Sequence, residues 1–234
     1  MEVDGCELPE DRLYDLENDT WLKLEDGGRA TVGLTQSIAS FAGRFQSVSF
    51  RPVTGALARG RSIATIESVR FTGAVRIPVE GTVVERNTAL VDRPKLLNDA
   101  PYGDGWVARI ELSTPSEVGR TLESAGAIQG RLAQRIQQLR IRCLPAAPDV
   151  ELYEIGSECS AVLARLSEEV GRRAPGEVVL LVTDDPTSPI EMVRWSDRTG
   201  HPVLAHRVDG PLHQFLVRRG ADPHPRARPA RASR

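Results

Sequence analysis

The chain has 234 residues, of which 40% are hydrophobic and 26% charged, and its formal net charge is -2. These values are typical of a globular protein, and the length predicts two domains of roughly 100 residues each. The near-neutral charge gives no case for a nucleic-acid or membrane-surface partner, and no apolar stretch is long enough to span a bilayer. The acidic start, MEVDGCELPEDR, contains no secretory or transit signal, so a reducing cytoplasm is the expected location.

Residues 20–113 alternate short β-type runs with Gly, Pro, Asn and Asp. This punctuation predicts an antiparallel, glycine-rich β domain. Within it, TQSIASFAG predicts one short helix, because Ile38, Phe41 and Ala42 fall at helical spacing.

The pattern changes after this β region. Between Pro115 and Arg142, apolar residues recur every three or four positions. This spacing predicts one long amphipathic helix or two shorter ones, with Gly126 and Gly130 as weak points. The following CLPAAPDV has two prolines in four positions, which favours a domain boundary there.

The last third of the chain alternates strand and helix patterns. In order, VELYEI, SAVLARLSEEVGRR, EVVLLVTD, PIEMVRWSDRTG, PVLAHRV and LHQFLVRR predict a βαβαββ succession. Asp209-Gly210 between the last two runs is a strong hairpin signal. Two helices on one face of the sheet would give a two-layer sandwich. Residues 221–234 carry several arginines and no apolar partner residues, so we expect a disordered basic tail.

The β region resembles the glycine cleavage H protein over residues 8–115. The resemblance is carried by LYDLENDTWLKLEDG, RATVGLTQSIASFAG, and above all PVEGTVVERN followed by LLNDAPYGDGW. It implies the lipoyl-type barrel-sandwich, in which two short sheets pack face to face and a lysine at an exposed hairpin tip carries lipoamide. The opening is more similar to the H-protein-like lipoate-binding proteins that accompany bacterial sulfur oxidation.

The lipoyl lysine of that family lies in an E-S-V-K sequence, whereas this chain has Glu67-Ser68-Val69-Arg70. Lipoate attachment needs an amine that can lose its proton and attack an activated acyl group. A guanidinium keeps its proton and is a poor nucleophile, so we expect no lipoyl cofactor on Arg70. The only lysines, Lys23 and Lys95, fall where the family has no modified residue.

Residues 148–220 resemble the TusA-type sulfur carriers, which pass persulfide sulfur from a cysteine desulfurase to later acceptors. Their G-L-R-C-P-x-P sequence aligns with Gly156-Ser157-Glu158-Cys159-Ser160-Ala161-Val162. The predicted fold class is therefore α+β with two domains. An all-β lipoyl-type barrel-sandwich (8–115) and a helical linker (116–147) precede a βαβαββ two-layer sandwich (148–220).

Cys159 is the sulfur acceptor that this second resemblance implies. Unpaired N–H groups and the positive end of a helix dipole favour thiolate, the nucleophilic form of cysteine. Two neighbours depart from the family. Glu158 replaces a basic residue and is expected to raise the pKa of the thiol, and Ser160 replaces a proline that rigidifies the first turn. We therefore expect a modestly activated thiol.

The other cysteines and the histidines indicate no further site. Three cysteines at unrelated spacings predict neither a disulfide framework nor a metal knuckle; Cys6 falls in a tail and Cys143 in a linker, where it could serve as a resolving thiol. His201 and His206 are expected on opposite faces of one strand. The remaining histidines, His213 and His224, lack partners at ligand spacing, so no metal is expected.

Three functions fit these features, and each makes the chain a carrier or adaptor in preference to a free-standing enzyme. We favour a sulfur carrier or accessory, with a persulfide on Cys159 and a cysteine desulfurase or other sulfur-transfer enzyme as partner. Both domains resemble families that take part in sulfur trafficking. Covalent linkage raises the effective concentration of each domain near the enzyme that binds the other domain. The second function is a glycine cleavage H-type carrier, which Arg70 opposes. The third is a non-catalytic adaptor on lipoyl-dependent or lipoate-assembly enzymes.

Overall fold

The computed structural model describes residues Met1–Ala221. The chain folds into two compact units, one ending at Ala147 and the other beginning at Pro148. The predicted disordered tail, 221–234, lies outside the described residues apart from Ala221. Among the residues described, no helix has the length and apolar character needed to cross a membrane.

The first unit is built mainly from short strands. In chain order they are β1 (Glu2–Val3), β2 (Cys6–Glu7), β3 (Leu13–Asp15), β4 (Thr20–Leu24), β5 (Arg29–Leu34), β6 (Phe45–Phe50), β7 (Ala56–Leu57), β8 (Ser62–Ser68), β9 (Thr72–Arg76), β10 (Gly81–Arg86), β11 (Ala108–Leu112) and β12 (Glu123–Ser124). Its helices are α1 (Gln36–Ala42), α2 (Ala89–Asp92), α3 (Leu96–Asp99), α4 (Val118–Thr121) and α5 (Ala125–Leu139).

Two sheets form the body of this unit. The larger has the spatial order β12-β3-β4-β5-β11-β10-β7, and the smaller has the order β6-β8-β9. All neighbouring strands in both are antiparallel. Val32 and Ile110 of the larger sheet share a buried cluster with Val48, Ile66 and Val75 of the smaller. The sheets therefore pack face to face, and the predicted antiparallel strands and short helix α1 are both present.

A glycine allows the indole of Trp21 to lie flat on the larger sheet. Trp21 and Gly33 face each other on β4 and β5, and a Cβ at Gly33 would overlap the indole ring. The indole Nε1 donates hydrogen bonds to the carbonyl oxygens of Leu34 (2.9 Å) and Pro101 (3.1 Å). The fully buried tryptophan thus has its one polar group satisfied.

Helix α5 belongs to the first unit, which differs from the predicted linker over 116–147. Its buried residues form a second core cluster with the N-terminal segment; the members include Val3, Leu8, Tyr14, Trp21, Ala125, Ile128, Leu132 and Ile136. The predicted helical run is interrupted at β12, because Glu123–Ser124 pair with β3. Gly126 and Gly130 lie inside α5 without breaking it.

A disulfide joins Cys6 to Cys143, so the prediction that the cysteines form no disulfide is wrong. The two Cα atoms are 5.0 Å apart although 137 positions separate them in sequence. Strand β2 and the segment after α5 meet in the second core cluster, where Cys6 is fully buried and Cys143 is 2% exposed. Only the tertiary fold brings these two segments together, so the spacing of the cysteines along the chain does not indicate that they pair.

The second unit contains β13 (Val150–Glu154), α6 (Cys159–Gly171), β14 (Val178–Thr183), α7 (Ser188–Thr199), β15 (Val203–Asp209) and β16 (Leu212–Arg218). Its sheet has the order β13-β14-β16-β15, with β13 and β14 parallel and the other pairs antiparallel. Residues of both helices and of one sheet face share a core cluster that includes Val162, Leu166, Val179, Leu181, Met192, Trp195 and Phe215. Both helices therefore cover one face of the sheet.

Replacing both cysteines of the disulfide should destabilise the first unit. The Cys6→Ser/Cys143→Ser variant should lose about 2–5 kcal/mol of unfolding free energy, because the link restricts the unfolded chain over a long loop. Denaturant titration without reductant, followed by tryptophan fluorescence and circular dichroism, measures this loss. The matched control is Cys159→Ser, which removes a thiol outside the disulfide. Equal stability of the two variants would contradict the expectation.

Candidate functional site

The turn between β8 and β9, at residues 69–71, is exposed to solvent at its tip. Val69 is 86% exposed, and Arg70 is also exposed. The turn is closed by the Ser68 N–H, which donates to the Phe71 carbonyl (2.7 Å). Ser68 Oγ donates to the Ala42 carbonyl at the end of α1 (2.7 Å). The tip therefore projects into solvent while its base is fixed to α1.

The side chain of Arg70 lies over the end of α1. Gly43, which follows this helix, has φ of 75°, and a Cβ there would come within 3.0 Å of the guanidinium. A positive charge near the free carbonyl groups of a helix end is electrostatically favourable. The guanidinium provides charge and hydrogen-bond donors at the tip, and it offers no nucleophilic amine.

Neither lysine substitutes for an amine at this turn. Lys23 lies on β4 in an ion pair with Asp11 (3.2 Å). Lys95 directly precedes α3 and pairs with Asp99 (3.6 Å). Both lie in other elements of the unit, as the sequence indicates.

A cavity of about 210 Å³ lies beside the turn, and the sequence analysis missed it. Phe71 from the turn packs edge to face against Phe41 of α1, with ring centroids 6.3 Å apart. One end of the cavity is polar, because Arg135 of α5 donates to Asp19 (2.8 Å). The apolar lining consists of Leu34, Ile38, Phe41, Ile66, Phe71, Ala74, Leu139 and Ile141. These residues come from three separate parts of the chain, so no local pattern reveals them.

Cys159 is the first residue of α6, and it is the free cysteine of the described chain. It is partly exposed. Its thiol has hydrogen-bonding contacts with Asp185 and Thr187, which lie in the loop before α7. Asp185 also accepts hydrogen bonds from the backbone N–H and the hydroxyl of Thr187, both at 2.7 Å. The thiol therefore faces an ordered acidic loop.

The surroundings of Cys159 favour the neutral thiol. Burial raises the pKa of the Cys159 thiol, the contact with Thr187 lowers it, and the negative charges of Asp185 and Glu191 raise it further. The net shift of the pKa is upward, in the direction opposite to the activation that a helix N-terminus alone favours. The sequence predicts that Glu158 raises this pKa. In the structure, the negative charges that raise it belong to Asp185 and Glu191, which tertiary packing brings to the site.

Two histidines that seemed isolated in sequence form a pair. His206 Nε2 lies 3.0 Å from His213 Nδ1 across the β15–β16 hairpin. The His206 ring also stacks on Phe215, with centroids 4.3 Å apart. The hairpin register, which the two-residue turn Gly210-Pro211 defines, was the signal that could have revealed this pair. No group of three or more metal-binding side chains occurs within residues 1–221.

The first unit matches known proteins over most of its length. The family model for the glycine cleavage H-protein matches residues 12–135. Glycine cleavage system H protein 5 of Aquifex aeolicus is 40% identical over 146 residues, which cover 61% of this chain and 98% of that protein. The probable glycine cleavage system H protein 2 of Sulfolobus acidocaldarius is 36% identical over 141 residues, which cover 59% of this chain and 94% of that protein.

A solved structure, the glycine cleavage system H protein of Mycobacterium marinum, aligns with a TM-score of 0.47 and 28% identity, covering 53% of this chain and 98% of that one. The family model and the curated relatives identify the first unit as an H-protein domain, a β-sheet carrier domain. The chain belongs to the glycine cleavage H-protein family.

The acidic loop near Cys159 should slow reaction of its thiol. At pH 7 the folded chain should react with iodoacetamide more slowly than free cysteine, and the rate should rise with pH as thiolate forms. Asp185→Asn removes one like charge, which lowers the pKa of the thiol and increases the thiolate fraction, so it should increase the rate about threefold. Mass spectrometry of the Cys159 peptide measures the rate. Asp197→Asn, an exposed substitution further along α7, is the control; an equal increase there would refute the role of Asp185.

Proposed function

We propose that the first unit is an H-protein-type docking domain that carries no lipoyl group, and that the chain is an adaptor on lipoyl-dependent enzymes. The observation that supports this most strongly is Arg70 at the tip of the exposed turn, within a domain that otherwise matches the H-protein family over residues 12–135. The docking surface of a carrier depends on the fold of the whole domain. Attachment of a lipoyl group depends on one lysine amine, and this chain has Arg70 at that position.

The partners that fit this proposal are enzymes that already recognise an H-type domain. The relatives are glycine cleavage system H proteins, so glycine cleavage enzymes are the first candidates. A chain that occupies the same docking site without a lipoyl arm would hold its second unit beside such an enzyme. Linkage of this kind raises the effective concentration of the second unit at that site.

A glycine cleavage carrier of the usual kind is the direct competitor of this proposal. It would need a lipoyl acceptor, and the described lysines are Lys23 and Lys95, both in ion pairs away from the turn. Arg70 has no chemistry by which it could replace them. The two functions therefore differ in one measurable property, the presence of a lipoyl group.

The second candidate function is sulfur carriage by Cys159, which is favoured by one observation in the second unit. Cys159 is a partly exposed free thiol at the start of α6. In such a transfer its thiolate attacks the outer sulfur of a persulfide on a donor cysteine. The donor S–S bond breaks, the donor leaves as a thiolate, and a persulfide forms on Cys159. A cysteine desulfurase or another sulfur-transfer enzyme would supply that donor, although the raised pKa of Cys159 opposes this step.

The absence of lipoylation is the first expected outcome. The wild-type chain, co-expressed with a lipoate ligase and lipoate, should show no added mass, because no amine lies at the tip. Arg70→Lys should gain one lipoyl group, since Glu67, Ser68 and Val69 are retained. Arg76→Lys, which places a lysine at the far end of β9, is the matched control and should stay unmodified. A lipoyl group on Lys23 or Lys95 of the wild type would favour the H-type carrier over the adaptor.

Sulfur loading of Cys159 tests the second candidate. The chain is incubated with a cysteine desulfurase and cysteine, and persulfides are mapped by alkylation and peptide mass. Label should lie on Cys159 and be lost in Cys159→Ser, because the other two cysteines are joined in a disulfide. Asp185→Asn should load faster, since it favours thiolate. Absence of label on Cys159 in both backgrounds would eliminate sulfur carriage and leave the adaptor function untouched.

A further inference from the structure

One wall of the cavity beside the turn comes from the end of α5 and the residues that follow it. Leu139 and Ile141 form this wall, and Phe41 and Phe71 also line the cavity. Arg140 between them has φ of 50°, and the Ile141 N–H donates back to the Ile136 carbonyl (2.9 Å). This left-handed residue turns the chain sharply at the helix end. The position of the wall therefore depends on what holds the chain after residue 141.

The covalent restraint on this segment is the Cys6–Cys143 disulfide. Cys143 lies two residues beyond Ile141, and its Cα atom is 5.0 Å from that of Cys6. Cys6 is on β2, and the β1–β2 hairpin consists of two strands of two residues each. The disulfide thus connects the cavity wall to a very short hairpin formed by the first residues of the unit.

Several hydrogen bonds support the same connection. Gln36 of α1 donates through Nε2 to the Leu144 carbonyl (3.3 Å) and accepts from the Glu7 N–H. The Tyr102 hydroxyl donates to the Glu7 carbonyl (2.9 Å). One glutamine side chain therefore joins the two disulfide-bearing segments from the α1 side. Without the covalent link, these polar contacts and the burial of Ile141 and Cys143 would have to hold the wall.

We propose that the Cys6–Cys143 disulfide is a thiol-sensitive clip that sets the shape of the cavity beside the turn at residues 69–71. When the disulfide is reduced, the segment after α5 opens more readily and the cavity loses its Leu139–Ile141 wall. Oxidation restores the wall. The clip makes binding at this face of the domain depend on the thiol state of its surroundings.

The reductant is a dithiol, either a small molecule or a protein. One thiolate of the dithiol attacks a sulfur of the disulfide, the Cys6–Cys143 bond breaks, and a mixed disulfide forms. The second thiol of the reductant resolves it. Two electrons and two protons pass to the chain, which gains two thiols, and the reductant leaves as a disulfide. Because both sulfurs are buried, attack requires prior opening of the β1–β2 hairpin.

Hydrogen exchange of the full chain tests this inference. The oxidised chain and the chain reduced with excess dithiothreitol are compared by peptide mass, both in a Cys159→Ser background so that the third thiol cannot contribute. Reduction should speed exchange at least tenfold in residues 1–8 and 136–147. Exchange in β8 and β9 should increase by a smaller factor than in these two segments, and exchange in the second unit should change less than twofold. Ile141→Ala, which trims the wall with the disulfide intact, should speed exchange only at the end of α5.

Two results would overturn the inference. Unchanged exchange in residues 136–147 after complete reduction would mean that the disulfide does not control the position of the wall. An increase in β8 and β9 as large as that in residues 136–147 would mean that reduction acts only through the stability of the whole domain and not on one wall. Alkylation of Cys6 and Cys143 after each run verifies the redox state.

Discussion

The packing of two antiparallel sheets through one apolar layer is the constraint on which the rest of the first unit depends. Val32 and Ile110 on one sheet meet Ile66 and Val75 on the other, and this contact fixes β8 and β9 as a pair. The turn at residues 69–71 joins these two strands. Because its ends are fixed by the core, the tip can be fully exposed and still have a defined position.

A second buried cluster joins the ends of the first unit to each other. Helix α5 packs on Tyr14 and Trp21, and Cys6 and Cys143 close the same cluster covalently. The cavity at the turn lies where the two clusters meet, since Ile66 belongs to one and Ile141 to the other. Under the proposed inference, reduction of the Cys6–Cys143 disulfide in the second cluster therefore changes the cavity beside the turn that carries Arg70.

The second unit shows how charge can oppose a geometry that suits catalysis. Cys159 has the position of a reactive cysteine, at the first residue of a helix and partly exposed. Burial nevertheless raises the pKa of its thiol, and the negative charges of Asp185 and Glu191 raise it further. A helix N-terminus stabilises a thiolate only if burial and nearby charges do not outweigh it. The proposed adaptor function draws on the docking domain and needs no activated thiol in this unit.

Local patterns in the sequence are enough to predict much of the secondary structure. The antiparallel strands, helix α1, and the helices and strands of residues 150–218 follow from hydrophobic period and turn residues, and the prediction that no lipoyl group is attached follows from the identity of Arg70. Tertiary packing, in contrast, creates the Cys6–Cys143 disulfide, the cavity and the acidic loop at Cys159. Each of these joins residues from separate elements, and contacts between elements are set by how sheets and helices pack, which local periodicity does not encode.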